Sequence, residues 1–541
     1  MKKQITFILA LLTVMVACTN LDETIYSNMQ LSDVYKKTTD ADAACIGLYT
    51  GLLNSYYLTA MLGSTTTTAD TRHQNVVRGF YDNSQENIAD YWSSSYETIR
   101  KANAVIDNLW NSPLSDTEKK PYIAEAMAMR SYSYLKLVKL WGDIPFRVAA
   151  KDVLSSDFKL TPMEQIYRQL MADMEWSIAN IWKEMKQPRG RIDIIGAKMI
   201  LADIYLTCAS SARAYNPATS ARALKPYYTA FDADKDIYWR RVKELCADVI
   251  ASPYKLETTN WTKLWGLDNR FNKEHIWTTQ TIPGVLGTTL LPYTPTYAVD
   301  ICEGQAVGGA FMTYDWALSF DRNDVRFKNG IIWQYIDSRN NPNANGTYYV
   351  ELWRRDLENR ATTLTGNQRI SHDTTYRYST YQRLQTKKFY DQSYTKTNST
   401  VGPAIQMPIY RTAEAYLFYA EAENELFSCT ADAVNKINAI RTRAGVPTYV
   451  AGQFSKEVFR YRILKERQWE FALEGKDIFD IMRMGLLEEE CAFKEILWDG
   501  KDLPANENPR PRTADNYWLP YPLAETSTNN SLRGIDRMNY N

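Results

Sequence analysis

Histidine is the scarcest reactive residue in this chain: 541 residues hold only 3, at His73, His275 and His372. They lie far apart, which argues against a histidine metal cluster and leaves little for proton transfer near neutral pH. The signatures of nucleotide and hydrolase chemistry are missing too. Gly475-Lys476-Asp477 lacks the leading glycines and the hydroxyl of a phosphate loop, and no HExxH, GxSxG or GxGxxG occurs. Asp232-Ala233-Asp234-Lys235-Asp236 imitates half of a calcium loop, but Ile237 and Lys243 stand where glycine and glutamate are needed. That segment reads as a solvated turn. An excess of one charge is absent: 63 Lys+Arg balance 63 Asp+Glu, so nucleic acid is not an expected partner. No CxxC pair exists among the 7 cysteines. Cys45, Cys208, Cys246, Cys302, Cys429 and Cys491 are too scattered for a disulfide scaffold in a body this large. At 45% hydrophobic and 23% charged, the chain is neither disordered nor a membrane-embedded bundle. No cofactor is called for.

Aromatic residues are abundant instead, with 37 Tyr, 17 Phe and 15 Trp. An aromatic-rich, histidine-poor chain is better suited to stacking on a ligand than to moving protons, although most rings fill cores. Paired carboxylates would admit a helical glycoside hydrolase as a rival reading. With 63 acidic residues, such pairs arise by chance and carry little weight.

The N-terminus reads as an address. Met1-Lys2-Lys3 is a basic start, and Ile5 to Val16 is an apolar run of signal-peptide length. It is too short to cross a hydrocarbon core of about 30 Å as a helix. Met15-Val16-Ala17-Cys18 closes it in the manner of a bacterial lipobox, with Met15 where leucine is usual. Residues 1–17 are therefore expected to be a lipoprotein signal peptide, and Cys18 to carry the lipid. Acyl chains contribute ~0.8 kcal/mol per buried CH₂, so several on one cysteine anchor firmly.

The rest of the chain is helical at both ends. Ile88, Trp92, Tyr96, Ile99, Ile106 and Leu109 mark one apolar face of a helix over 86–109. A second, capped by Asp116, runs to Trp141 and stops at Gly142-Asp143-Ile144-Pro145. Trp92 and Trp141 lie on these stripes and read as core. Thr161-Pro162-Met163-Glu164 offers a capping box with proline at the first helical position. Asp193 opens a further helix, and Trp239 to Ile250 forms another before Pro253. Helical period returns at Arg411 and runs to Leu426, then from Ala431 to Ala444, then from Ser455 to Glu474 with a stop at Gly475. Small residues recur at contact positions, as in tetratricopeptide-type pairs. The expected fold is thus mainly α, with helical repeats over about 30–251 and 404–486. Between them, 252–403 is rich in Gly, Pro, Asn and Thr and reads as a long loop-rich insertion with short strands. An irregular stretch of that length is usually functional.

Five segments in order carry a family resemblance. They are Ala126-Met127-Ala128-Met129-Arg130-Ser131-Tyr132 through Trp141-Gly142-Asp143-Ile144-Pro145-Phe146; Gly190-Arg191 through Tyr205-Leu206; and Arg411-Thr412-Ala413-Glu414-Ala415-Tyr416-Leu417 through Ala444-Gly445. Then come Glu466-Arg467…Glu470-Phe471…Glu474-Gly475…Phe479-Asp480-Ile481-Met482-Arg483 and the tail Tyr517-Trp518-Leu519-Pro520-Tyr521-Pro522 with Asn529-Asn530. The chain resembles SusD-like (RagB/SusD) outer-membrane lipoproteins. That resemblance implies tetratricopeptide-like helix pairs, a surface-exposed lipid anchor on the outer membrane, and no catalysis. It implies a SusC-like TonB-dependent transporter as partner, capped by this protein as by a hinged lid, with an oligosaccharide or polysaccharide as ligand. A peptide ligand is the alternative on the same fold.

Sugar rings offer C–H faces to aromatic side chains and hydroxyl rims to short polar ones. Two segments combine these outside helical period. One is Asp70-Thr71-Arg72-His73-Gln74-Asn75 leading to Tyr81, and the other spans Tyr293, Tyr297, Phe311, Trp316 and Trp333. Asp70, Tyr81, Tyr293, Tyr297, Phe311, Trp316 and Trp333 are the candidate ligand residues; for Trp316 and Trp333, packing within the insertion is an equal expectation. Arg467, Glu470 and Glu474 are expected to form a packed ion network, not a catalytic set.

Overall fold

The computed structural model describes residues 35–62, 68–70, 83–84, 86–150, 157–184, 190–214, 230–282, 310–312, 316, 319–321, 323–332, 334–336, 347–349, 368–370, 385–386, 388–389, 404–490 and 517–533. Six long helices come first: α1 (Thr38–Leu62), α2 (Glu86–Trp110), α3 (Asp116–Trp141), α4 (Met163–Asn180), α5 (Ile194–Ala214) and α6 (Lys235–Ala251). Each packs on the next, so they form a layered stack of antiparallel neighbours. A short helix α7 (Val325–Gly330) precedes α8 (Thr412–Phe427), α9 (Ala431–Ala444), α10 (Lys456–Glu470), α11 (Asp477–Arg483), α12 (Leu487–Glu490) and α13 (Leu523–Thr528).

The buried face of α2 is the one its period announces: Ile88, Trp92, Ile99, Ile106 and Leu109 are buried, while Arg100 faces solvent. By contrast, α3 is buried almost all round from Tyr122 to Trp141, because α2, α4 and the C-terminal tail cover it together. Its polar residues therefore need internal partners. Arg130 meets Asp173 at 2.8 Å and Asn103 at 2.9 Å. The Ile194–Ser211 stretch of α5 is long and apolar enough to cross a membrane, yet 78% of it is buried in this stack. Ala197, Ala202 and Ala209 are wholly buried in it and allow close helix approach.

The tail returns to the first repeats. The Trp141 indole N–H donates to Pro520 O at 2.9 Å, and Leu519 N donates to Leu140 O at 2.8 Å. Gly142, at φ 69°, lets the chain turn beneath the Trp518 ring.

Three expected boundaries move. Ser115, not Asp116, is the N-cap of α3, and its backbone N–H donates to Glu118 at 3.0 Å. The box at Thr161 does not form, because Thr161 is drawn into a strand pair; instead Asp143 Oδ1 accepts from the first N–H of α4, Met163, at 3.0 Å. The α10 helix ends at Glu470, not Glu474, since the following turn bends its carbonyls onto a buried lysine.

Among the described residues the strands are short: β1 (Thr68–Asp70), β2 (Ile144–Pro145), β3 (Leu160–Thr161), β4 (His275–Thr278), β5 (Ala310–Met312), β6 (Ile331–Ile332), β7 (Gln334–Ile336), β8 (Thr347–Tyr349), β9 (Gln368–Ile370), β10 (Gln385–Thr386) and β11 (Pro408–Arg411). They pair as β1–β5, β2–β3, β4–β11 and β6–β10, all antiparallel, with β7–β8–β9 a mixed three-stranded sheet.

Candidate ligand-binding site

Helix α6 packs against α8 although 252–403 separates them in sequence. The insertion therefore leaves and re-enters the stack at one point. Its two ends are fastened there by the buried β4–β11 pair, in which His275 lies opposite Arg411. Beyond the strands, Thr279 N donates to Met407 O at 2.9 Å and Thr281 Oγ1 donates to Ala404 O at 2.6 Å.

A second strand pair is the β1–β5 ribbon. Thr68 pairs with Met312, Ala69 with Phe311 and Asp70 with Ala310. Opposite Cα atoms in such a pair are about 4.5–5.5 Å apart. Asp70 and Phe311, drawn from the two separate segments of the sequence reading, thus stand one register position apart. The ribbon abuts β10, which pairs with β6.

Trp316 has a packing role. Its ring lies 4.7 Å from Phe320 in an edge-to-face arrangement, and its indole N–H donates to Gln468 O at 3.0 Å. Trp469 completes the cluster by donating to Ser319 Oγ at 2.8 Å. Cys18, Tyr81, Tyr293, Tyr297 and Trp333 lie outside the described residues.

Around the stem of the insertion lies a buried ion network that contains the expected Glu470 and Glu474, but with cations other than the expected Arg467. Arg411 on β11 donates to Glu274 at 2.6 Å, Glu470 at 3.0 Å and Glu474 at 2.8 Å. Arg443 on α9 donates to Glu274 at 2.7 Å and Glu470 at 2.5 Å. Arg326 on α7 reaches Glu466 at 2.7 Å, Glu470 at 3.1 Å and Asp324 at 2.7 Å. Lys388, just after β10, donates to Glu470 O at 2.6 Å, Ala472 O at 3.0 Å and Glu474 at 2.8 Å. All of these side chains are buried.

Burial alone would raise the Glu470 carboxyl, but Arg443, Arg411 and Arg326 hold it well below the usual carboxylate range. Glu474 is likewise lowered, burial being outweighed by Arg411 and Lys388. Burial pulls Lys388 down to about 8. Each carboxylate here is taken up by cationic partners, so the cluster works as a fastener and leaves no acid–base pair. Arg467 belongs to a neighbouring network, with Asp480 at 2.7 Å and Glu414 at 3.1 Å. A sequence signal for the hidden cations did exist. Glu466, Glu470 and Glu474 recur every four residues on an otherwise apolar face, which is unfavourable unless cations meet them.

The SusD family model matches residues 271–539, and a second one, described as starch-binding and associating with the outer membrane, matches residues 20–206. The chain is a member of the SusD-like family. Members of this family bind carbohydrate and are not catalysts. A SusD-like protein (P2) of Formosa agariphila is 24% identical over 574 residues, covering 98% of each chain. The starch-binding protein SusD of Bacteroides thetaiotaomicron is 23% identical over 77% of this chain and 72% of its own. A protein crystallised with a xylogluco-oligosaccharide superposes with a TM-score of 0.68 at 19% identity, covering 91% of this chain and 98% of that one. That likeness is one of fold, and it is the mainly helical SusD-superfamily fold.

Proposed function

We propose that this SusD-like chain is a cell-surface lipoprotein that captures an oligosaccharide and passes it to a SusC-like TonB-dependent transporter for import. Residues 1–17 are the signal peptide, Cys18 carries the lipid, and the 252–403 insertion carries the ligand site on the helical body. The family's starch-binding, outer-membrane description and the oligosaccharide bound by a protein of this fold support the reading. The observation that carries it is the β1–β5 register, which brings the two candidate segments into one ribbon, with Asp70 and Phe311 at adjacent positions on opposite faces. Phe311 on one face can cover a sugar ring, and Asp70 on the other can bond hydroxyls. Affinity per site is weak, because each sugar hydroxyl trades a water bond for a protein bond at small net gain.

Calorimetric titration of the full chain with an oligosaccharide panel tests this. Phe311→Ala and Tyr297→Ala are each expected to weaken binding by about 1–1.5 kcal/mol, roughly five- to tenfold, with unchanged circular dichroism. Wild-type affinity in both variants would remove these residues from the site. Binding of oligopeptides but no sugar would replace the ligand class. Release of reducing sugar would overturn the non-enzymatic reading. For the anchor, Cys18→Ala should move the protein out of the membrane fraction.

A further inference from the structure

We propose that Lys388 is a positioning residue for the ligand site: its ammonium group sets β10, and through β10 the β1–β5 ribbon, on the helical body. This rests on the reading that the ribbon bears the ligand, and it deepens that reading.

The geometry has three parts. Lys388 follows β10 by two residues, and β10 lies against β5, which bears Phe311. Its Nζ is spent on three acceptors of the α10 end, namely Glu470 O, Ala472 O and Glu474 Oε1. An ammonium group has three N–H donors, so all are used in one direction. Nζ also lies over two rings, 5.0 Å from the Trp265 centroid and 5.9 Å from that of Trp261. Lys388 is thus a bolt driven from the insertion into the body.

Arg326, with Asp324, is the second such bolt, reaching Glu466 and Glu470 from α7, directly before β6. Because β6 pairs with β10, the two bolts hold the two strands of one ribbon. β1 pairs with β5, and β5 lies against β10, so the ribbon is joined to the body through the strands that the two buried cations hold.

The bolt depends on charge. A neutral amine has two N–H donors and cannot serve three acceptors. Burial pulls its amine down to about 8, which still leaves Lys388 mostly charged at neutral pH. The groups facing it are Glu474 and Glu470 from the α10 end and Arg411 from β11; Glu274 lies beyond Arg411, Arg443 and Arg326 lie beyond Glu470, and His275 is on β4 beside Trp265.

The test uses the full chain and Lys388→Met, which keeps the stem and removes the charge. Hydrogen exchange followed by mass spectrometry is read at 68–70 and 310–312 against 86–141. The expected result is exchange about tenfold faster in the ribbon, with the helices unchanged. Unchanged ribbon protection, or loss of protection throughout the helices, would overturn the proposal. Oligosaccharide affinity should be about tenfold weaker in the variant at neutral pH. These readouts separate the two ideas. Ribbon loosening without any sugar binding in the wild type overturns the proposed function and leaves Lys388 as the bolt. Sugar binding that ignores Lys388→Met overturns the bolt alone.

Discussion

The Arg411 guanidinium closes on the Glu474 carboxylate through two bonds, Nε to Oε2 at 2.8 Å and Nη2 to Oε1 at 2.9 Å. Arg411 ends β11 at the foot of the insertion, and Glu474 lies in the turn after α10. One planar fork thus fastens the stem of the insertion to the last repeats. Glu470, beside it, accepts from Arg326, Arg411 and Arg443 together. Replacing Glu470 with glutamine removes one carboxylate from three buried cations, which keep Glu466 and Asp324 (Arg326), Glu274 and Glu474 (Arg411) and Glu274 (Arg443), while changing the volume little. Removal of one partner from a buried pair costs about 3–5 kcal/mol. Urea unfolding of Glu470→Gln should show a loss of that size with an unchanged slope. A loss under about 1 kcal/mol would mean that water reaches the cluster.

The same carboxylates set the acid limit. Glu470 and Glu474 both titrate lower in the folded chain than in the unfolded one, where glutamate has a pKa of about 4.3. A depressed folded value contributes stability that is complete above the unfolded pKa and is lost as pH falls through the folded one. Wild-type stability should therefore be flat from neutral pH to about 5 and decline below that. The difference between wild type and Glu470→Gln should narrow over the same acid interval. Denaturant midpoints measured from pH 7 to pH 3 check this; a gap that widens in acid would reverse the sign.

Gly142 gives a steric prediction. At φ 69° it adopts a backbone that side chains resist, and a Cβ there would meet the Trp518 ring at 3.2 Å. Gly266, at φ 90°, has no atom within 4 Å of its Cβ position. Gly266→Ala should cost only the backbone strain, about 1–3 kcal/mol. Gly142→Ala should cost more, because it also pushes the tail away from α3. Thermal melts of the two variants compare them directly, and equal losses would show that the tail yields without resistance.

The helices were legible because their information is local. The α2 stripe, the Asp193 start and the Ala431–Ala444 span needed only residues three or four apart, and the structure returns them within a residue or so. The Thr161 box failed because a strand pair with Ile144 competed for the same residue, and nothing local announces that competition. The candidate site was legible in outline alone. Composition singled out Asp70 and Phe311, but the pairing of β1 with β5 is set by a fold that closes over hundreds of residues. Lys388 and Arg326 went unnamed for the same reason: one lies in irregular chain and the other in a short helix inside the insertion, and only the acidic row on α10 hints that cations must arrive.

Trp316 separates packing from recognition. Its ring is seated on Phe320, and its N–H is already given to Gln468 O at 3.0 Å. Phenylalanine at this position would keep the ring contact and drop the hydrogen bond, leaving one backbone carbonyl short of a donor. That exchange costs about 1 kcal/mol. Trp316→Phe should therefore lower the unfolding midpoint modestly and leave oligosaccharide affinity where it was. Phe311→Ala should do the reverse. If Trp316→Phe weakened sugar binding fivefold at full stability, its indole would belong to the ligand contact and the partition drawn from the α10 seat would be wrong.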